Sequence, residues 1–422
     1  MSDISTLLEG IENCPCGKPH ACPVDGVYIG KGALAELPNL CRGYRRILVV
    51  TDENIHPICG EKVLALLGKK AEALVLRGHG HVVVPDEAAI ARIEEKVTGD
   101  TDLIIGVGSG VINDLCKYVS FQKGLPYMIA ATAPSMDGYA SVGAALILGG
   151  MKVTPAARPP KVILGDTDIL KNAPMAMLQS GWGDIVGKYS CLNDWKLSAL
   201  LNGEYFCQRV YDLVMATARQ VEALASGVLA RDEKAVAALM EALVTVGIAM
   251  SYVGNSRPAS GSEHHLSHYF EITGIVHGTP YYPHGTDVLY ASAVTARLRE
   301  LLIRDAPKPQ PFDAQEWEKQ VLRVYGSSAQ GVLDLQRRLG WHEKNDFEEI
   351  AARWEEVLAV LREAPGEEAA RGMVGSIGLS MEAFDAFYGT EKITDGIGYA
   401  KDLKDRYSVL WLFDKAHAPI RW

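Results

Sequence analysis

Two histidine-bearing segments and one aspartate carry the strongest chemical signal in this chain. Gly181-Trp182-Gly183-Asp184 comes first, then Glu263-His264-His265-Leu266-Ser267-His268, then Pro283-His284-Gly285. Two imidazoles and a carboxylate, with positions left for water or substrate, suit a catalytic divalent transition metal. His264 and His268 are four apart and share one helix face, one turn from each other. The ligand set read from the pattern is Asp184, His264 and His284, with His268 aimed into the same cavity as a proton relay or substrate donor. Asp184 reads as the start of a helix, where a lone aspartate is ordinarily an N-cap. The company of the histidines favours ligation instead. His265, roughly 100° around the helix, reads as structural or supporting, and His277 as a loop residue.

A second signal lies upstream. Gly106-Val107-Gly108-Ser109-Gly110 runs from an apolar strand into a helix, with Asn113-Asp114 in that helix's first turn. Backbone amides at such a turn can hold a pyrophosphate, although the spacing falls short of G-x-G-x-x-G and a purely structural turn would look the same. It also comes after several strands rather than at the first, which favours a nucleotide in a cleft between domains over the ordinary Rossmann arrangement. Asp52, at a strand end, could accept ribose hydroxyls; its carboxylate would repel a 2′-phosphate and so leans towards NAD over NADP. In Thr132-Ala133-Pro134-Ser135-Met136-Asp137-Gly138-Tyr139-Ala140-Ser141, Asp137 could grip substrate hydroxyls and Ser141 the cofactor. A turn stabilised by side-chain-to-backbone bonds is the competing reading. Lys188, Arg257 and Lys117 could meet a phosphate, or could be surface salt-bridge partners.

The elements that must position these residues fall into two textures. From about 24 to 165 strands alternate with helices: Tyr28-Ile29, 47–50, 73–76, 103–105, 127–130 and 162–164 read as strands, and Asp86 caps a helix. Continuous apolar strands separated by helices indicate a mostly parallel α/β sheet, with a hairpin or excursion between 135 and 153. Behind 165 almost everything has helical period, including 169–182, 184–201, 206–230, 233–252 and 286–304. The expectation is an N-terminal arm (1–23), an α/β dinucleotide-binding domain (24–165) and an all-α metal- and substrate-binding domain (166–422).

Composition bounds the rest. The apolar fraction is 48%, the charged fraction 22% and the net charge −10, which argues against a nucleic-acid or anionic-membrane surface. No transmembrane-length apolar run or signal peptide is expected, Met1-Ser2-Asp3 opening a polar segment, so the cytoplasm is the default. Eight cysteines do not make a disulfide scaffold in a chain of this length. Cys14, Cys16, His20 and Cys22 nonetheless offer four soft ligands that could close a small zinc site. The alternative is a Pro/Gly-pinned arm with reduced thiols.

As a set, these motifs resemble the glycerol-1-phosphate dehydrogenases, particularly the bacterial type first described within arabinose operons. The motifs are the Gly-rich turn ending Asn-Asp, Ala-Pro-Ser-x-Asp-Gly, Gly-x-Gly-Asp-x-x-Gly-Lys, Arg-Pro-Ala-Ser-Gly-x-Glu-His-His-x-x-His, and His-Gly. The resemblance covers roughly residues 25–300. It implies the fold shared by iron-type alcohol dehydrogenases, glycerol dehydrogenases and dehydroquinate synthases. It also implies reduction of dihydroxyacetone phosphate to sn-glycerol 1-phosphate, a glycerophospholipid precursor, with NADH or NADPH. The implied metal is zinc or nickel on Asp184, His264 and His284, with Asp137 and His268 as substrate contacts. The cofactor would be touched by Asp52, by Gly108, Ser109, Gly110, Val111, Ile112, Asn113 and Asp114, by Thr132, Ala133, Pro134 and Ser135, and by Ser141. Many relatives carry glycine at the position of Ser109. Lys188 and Arg257 are the expected phosphate cations, and a homodimer or larger homo-oligomer is expected. A polyol dehydrogenase is the alternative; a dehydroquinate-synthase-like cyclase is disfavoured because its relatives place Glu where this chain has Asp184.

Overall fold

The computed structural model describes residues 3–78 and 82–422; Met1 and Ser2, read above as the start of a polar opening, lie outside them. By internal packing the chain divides into two compact units, Met1–Ile185 with Arg219–Ser256, and Val186–Ala218 with Arg257–Trp422.

The first unit is built on a six-stranded parallel sheet of order β1-β8-β5-β4-β2-β3. The strands are β1 (Gly26–Gly30), β2 (Ile47–Asp52), β3 (Ala71–Leu76), β4 (Leu103–Gly108), β5 (Tyr127–Ala131) and β8 (Val162–Asp166). Strands β4, β5 and β8 are buried along their whole length. That is why their sequences are apolar runs rather than alternating patterns. Leu34, Val49, Val63, Ile105, Val107, Met128 and Leu164 pack on one core. A Leu or Ile there truncated to Ala would cost about 2–5 kcal/mol. Between β5 and β8 a small antiparallel hairpin, β6 (Leu146–Leu148) and β7 (Met151–Val153), forms the expected excursion.

The order of strands decides where a ligand can sit. The chain leaves β2 towards β3 on one side and leaves β4 towards β5 on the other, so the switch point lies between β2 and β4. In open α/β sheets the crevice at the carboxyl ends of such strands collects ligands. Here those ends are Asp52 and Gly108.

The texture change near 165 marks the end of the sheet rather than the edge of a compact unit. Helix α1 (Glu87–Lys96), capped by Asp86 as expected, and α2 (Gly110–Lys123) flank the strands in sequence. Beyond the sheet come α3 (Met175–Val186), α4 (Lys188–Asn202), α5 (Gln208–Glu222) and α6 (Glu233–Val253). Most of α3, the end of α5 and all of α6 belong with the sheet. Helix α6 corrects a second expectation: it is 21 residues long and apolar enough to cross a membrane. Its side chains are mostly buried in the unit, as in a core helix of a folded domain.

The second unit is helical. Its centre holds α4, α7 (Ser262–His277) and α8 (His284–Arg304). One buried carboxylate ties three segments together there. Asp194 of α4 accepts from Arg299 Nη2 (3.0 Å) on α8, from Ser262 N–H (2.6 Å) at the start of α7 and from Val409 N–H (2.9 Å).

Candidate active site

Asp194 fixes the start of α7, and α7 carries the histidines. In the second unit His264, His268 and His284 come together: ring centroids are 5.1 Å apart for His264–His284, 5.3 Å for His268–His284 and 6.2 Å for His264–His268. The ligand atoms of His264 and His284 lie within 4.8 Å of each other.

Their hydrogen bonds set which ring nitrogen is available. His264 Nδ1 is 2.6 Å from Glu263 Oε1. An ionised carboxylate only accepts, so Nδ1 carries the hydrogen and Nε2 keeps its lone pair. At His284, Ser267 Oγ donates to the His284 carbonyl (3.1 Å), so its single hydrogen is used. The same oxygen then accepts from His284 Nδ1 (3.1 Å), which again leaves Nε2 as the lone-pair nitrogen. Holding the far nitrogen in this way is how proteins orient imidazole ligands. Glu263 is fully buried; burial pushes its carboxyl up, but the bond and charge of His264 and the Gly261 N–H outweigh that and keep it below the usual range. His265 points elsewhere. Burial, reinforced by Arg406 and Lys404, holds its imidazole neutral.

In the first unit the glycine turn leads directly into α2. The helix's first backbone bond runs from Asn113 N–H to Ser109 O (2.9 Å). The N–H groups of Gly110, Val111 and Ile112 therefore have no partner within the helix, which is the arrangement that accepts an anion. Thr132 follows β5, with its N–H on Gly108 O (3.0 Å) and a buried hydroxyl that has no hydrogen-bond partner among the described residues.

Asp184 meets the Asp137 turn through α3. Its Oδ2 accepts from Asp137 N–H at 3.0 Å. Three residues earlier, a Cβ on Gly181 would stand 1.8 Å from Pro134 O. Only glycine lets α3 lie this close to the Thr132–Asp137 segment, and that approach brings the Asp184 carboxylate to the turn. Asp184 thus does not stand at a helix start, as its two preceding glycines led one to expect. It sits near the end of α3, and the chain breaks at Gly187 instead.

Comparison with known proteins shows the family of the chain. Residues 28–174 match the family described as iron-containing alcohol dehydrogenase. A glycerol-1-phosphate dehydrogenase [NAD(P)+] of Halalkalibacterium halodurans is 34% identical over 292 residues, 68% of this chain and 73% of that protein. One from Bacillus licheniformis is 32% identical, covering 80% of this chain and 88% of that protein. The chain belongs to the glycerol-1-phosphate dehydrogenase family. It is an oxidoreductase. A crystal structure of sulfoacetaldehyde reductase from Bifidobacterium kashiwanohense in complex with NAD+ shares the fold, with a TM-score of 0.61 at 16% identity, covering 94% of this chain and 97% of that one.

Against the family pattern, several expected residues are placed differently. Arg257 is buried; its guanidinium pairs with Glu204 (2.9 Å) and donates to Asp194 O and Tyr407 O. These partners commit its Nε and Nη2. Lys117 is neither a surface residue nor a phosphate ligand. Its ammonium is buried and donates to Gly138 O (2.6 Å), Ser141 Oγ (3.1 Å) and Gly143 O (3.1 Å). The Ser141 hydroxyl faces the same two carbonyls, so it works within the turn. Asn113 bonds to Asp114, and Asp114 accepts from Ala145 N–H (3.1 Å) at the hairpin. Asp52 folds back to accept from Asn54 and Ile55 N–H through one oxygen, leaving the other. Lys188 is fully buried at the start of α4. His277 ends α7 and bonds to Val324 O rather than lying in a loop.

Two residues with a clear part went unassigned in the sequence reading, Glu263 and Ser267. The available signal was a carboxylate directly before one histidine and a hydroxyl three residues after it, on the helix that bears both.

Proposed function

We propose that the chain reduces dihydroxyacetone phosphate to sn-glycerol 1-phosphate, reversibly, with NAD(P)H and one divalent metal, zinc or nickel, on Asp184, His264 and His284. The observation that carries this reading is the His264–His284 pair, each imidazole with its Nδ1 hydrogen held and its Nε2 lone pair left for a ligand bond. Two such nitrogens and a carboxylate fit a borderline metal with open positions. The relatives named as glycerol-1-phosphate dehydrogenases support the substrate.

The roles of the chain's own residues follow. The N-terminal amides of α2 would hold the cofactor pyrophosphate, with the free oxygen of Asp52 towards a ribose. Val111, Ile112 and the Thr132–Ser135 segment would line that site. Asp137 would bind a substrate hydroxyl, and Lys188, one turn after Asp184, would face the phosphate. When bound, the metal supplies Lewis acidity to a carbonyl oxygen and the nicotinamide supplies a hydride. His268 would deliver the proton that the new alkoxide needs, so that ketone, NAD(P)H and one proton give alcohol and NAD(P)+.

The test is NAD(P)H oxidation by metal-stripped protein resupplied with zinc or nickel, with dihydroxyacetone phosphate as substrate. The product is then offered to an enzyme specific for sn-glycerol 3-phosphate. Metal-dependent turnover to a product that enzyme ignores is expected. The pairing of Arg257 with Glu204 offsets the charge of one expected phosphate cation, and this favours a second reading, a polyol dehydrogenase. Activity on glycerol or dihydroxyacetone without activity on the phosphate ester would establish it.

A further inference from the structure

The N-terminal segment holds chemistry that the oxidoreductase does not use. Cys14-Pro15-Cys16-Gly17 folds back on itself, with Gly17 N–H donating to Cys14 O at 3.0 Å. Gly17 has φ +83°, a conformation that side chains rarely adopt. Ile11 and His20 then close the loop, exchanging both backbone hydrogen bonds at 2.8 Å. This knuckle brings the ligand atoms of Cys14, Cys16 and His20 within 4.8 Å of one another, inside the first unit.

The histidine is set for ligation. His20 Nδ1 lies 2.9 Å from the Tyr252 carbonyl, which can only accept, so Nδ1 carries the hydrogen and Nε2 the lone pair. That Nε2 is 3.4 Å from Cys16 Sγ. Two ligands on one tetrahedral zinc, at roughly 2.3 Å for sulfur and 2.0–2.1 Å for nitrogen, stand about 3.5 Å apart. Cys14 and His20 are buried, and all eight cysteines are free thiols.

We propose that Cys14, Cys16 and His20 bind a structural zinc ion separate from the catalytic metal. A closed zinc site takes four ligands, so one further donor completes it. Cys22, the fourth ligand expected from sequence, bonds to Ser251 and the backbone of Val24, and burial pushes its thiol up to about 11. Each thiol that binds zinc releases its proton to solvent as the Zn–S bond forms. The ion would pin the N-terminal segment to the end of α6, where His20 stacks on Tyr252 (5.4 Å between centroids). One residue away, Ser251 Oγ donates to Ala140 O (2.6 Å), beside the Asp137 turn.

The test uses the full chain. A His264→Ala/His284→Ala double variant, freed of loose metal by gel filtration, should retain one zinc per chain by elemental analysis. Adding Cys16→Ser, at a partly exposed position, should bring zinc close to zero. Replacing zinc by cobalt(II) in the double variant should give the intense thiolate-to-cobalt charge-transfer absorption, which imidazole and carboxylate ligands do not produce. Should the Cys16 variant fail to fold, the cobalt spectrum of the double variant still decides. Absence of retained zinc together with absence of thiolate–cobalt absorption would overturn the proposal, as would a Cys14–Cys16 disulfide found by mass spectrometry.

Discussion

His20 and His264 show the same device in two settings. Each has its Nδ1 hydrogen fixed by an oxygen, which leaves Nε2 its lone pair. The fixing group differs: a backbone carbonyl for His20, a buried carboxylate for His264. The neighbours differ too, thiols in a tight turn against a second imidazole at a helix start. Thiols and a carbonyl-held ring make a site that closes and stays neutral to chemistry. A carboxylate-held ring is the more basic ligand, and three protein ligands leave the fourth position open.

The largest effect should come from removing an imidazole of the open site. His284→Ala should lower turnover on the order of 10⁴-fold, the equivalent of about 5.5 kcal/mol, and remove that metal. Zinc retained at the N-terminal cysteines should be unchanged, and elemental analysis beside steady-state kinetics checks both. Next is the frame that seats the histidine helix. Asp194→Ala leaves Arg299 buried without its charge partner and should destabilise the protein by about 3–5 kcal/mol, read by urea unfolding. Gly181→Ala drives a methyl into Pro134 O and should cost about 1–3 kcal/mol while displacing Asp184. Its signature is a lower Tm together with weaker metal retention. Smallest is Glu263→Gln, which keeps an acceptor for His264 Nδ1 but discards the charge. Metal affinity should fall about 10–100-fold, as measured by competition with a chromophoric chelator. An unchanged affinity would erase the contrast with His20, whose carbonyl partner no substitution can neutralise.

The sheet was legible because buried parallel strands are written as local apolar runs, and β2, β4 and β5 fall where those runs do. The paired histidines were legible for the same reason: four-residue spacing is a local quantity. What escaped depends on distant partners. Arg257 read as a surface cation because nothing near it announces Tyr407, 150 residues on. Lys117 hid its burial likewise, since its acceptors lie in a turn more than twenty residues away. Asp184 was misplaced along its helix because glycine usually signals a break. Gly181 instead serves a close approach to Pro134. Cys22 matched the spacing of a ligand, yet Ser251 holds it elsewhere.

The Lys117 ammonium has one more consequence. Its three hydrogens meet three acceptors, and together they fix the run from Gly138 to Gly143 beside the proposed substrate contact Asp137. The ordering of that run is therefore completed when the chain folds. A ligand arriving there meets a preformed wall and avoids the roughly 0.5–1.5 kcal/mol that each side chain immobilised on binding would otherwise cost. Association at this wall should resemble a key entering a cut lock, its speed set by diffusion and orientation, with no wait for a loop to settle.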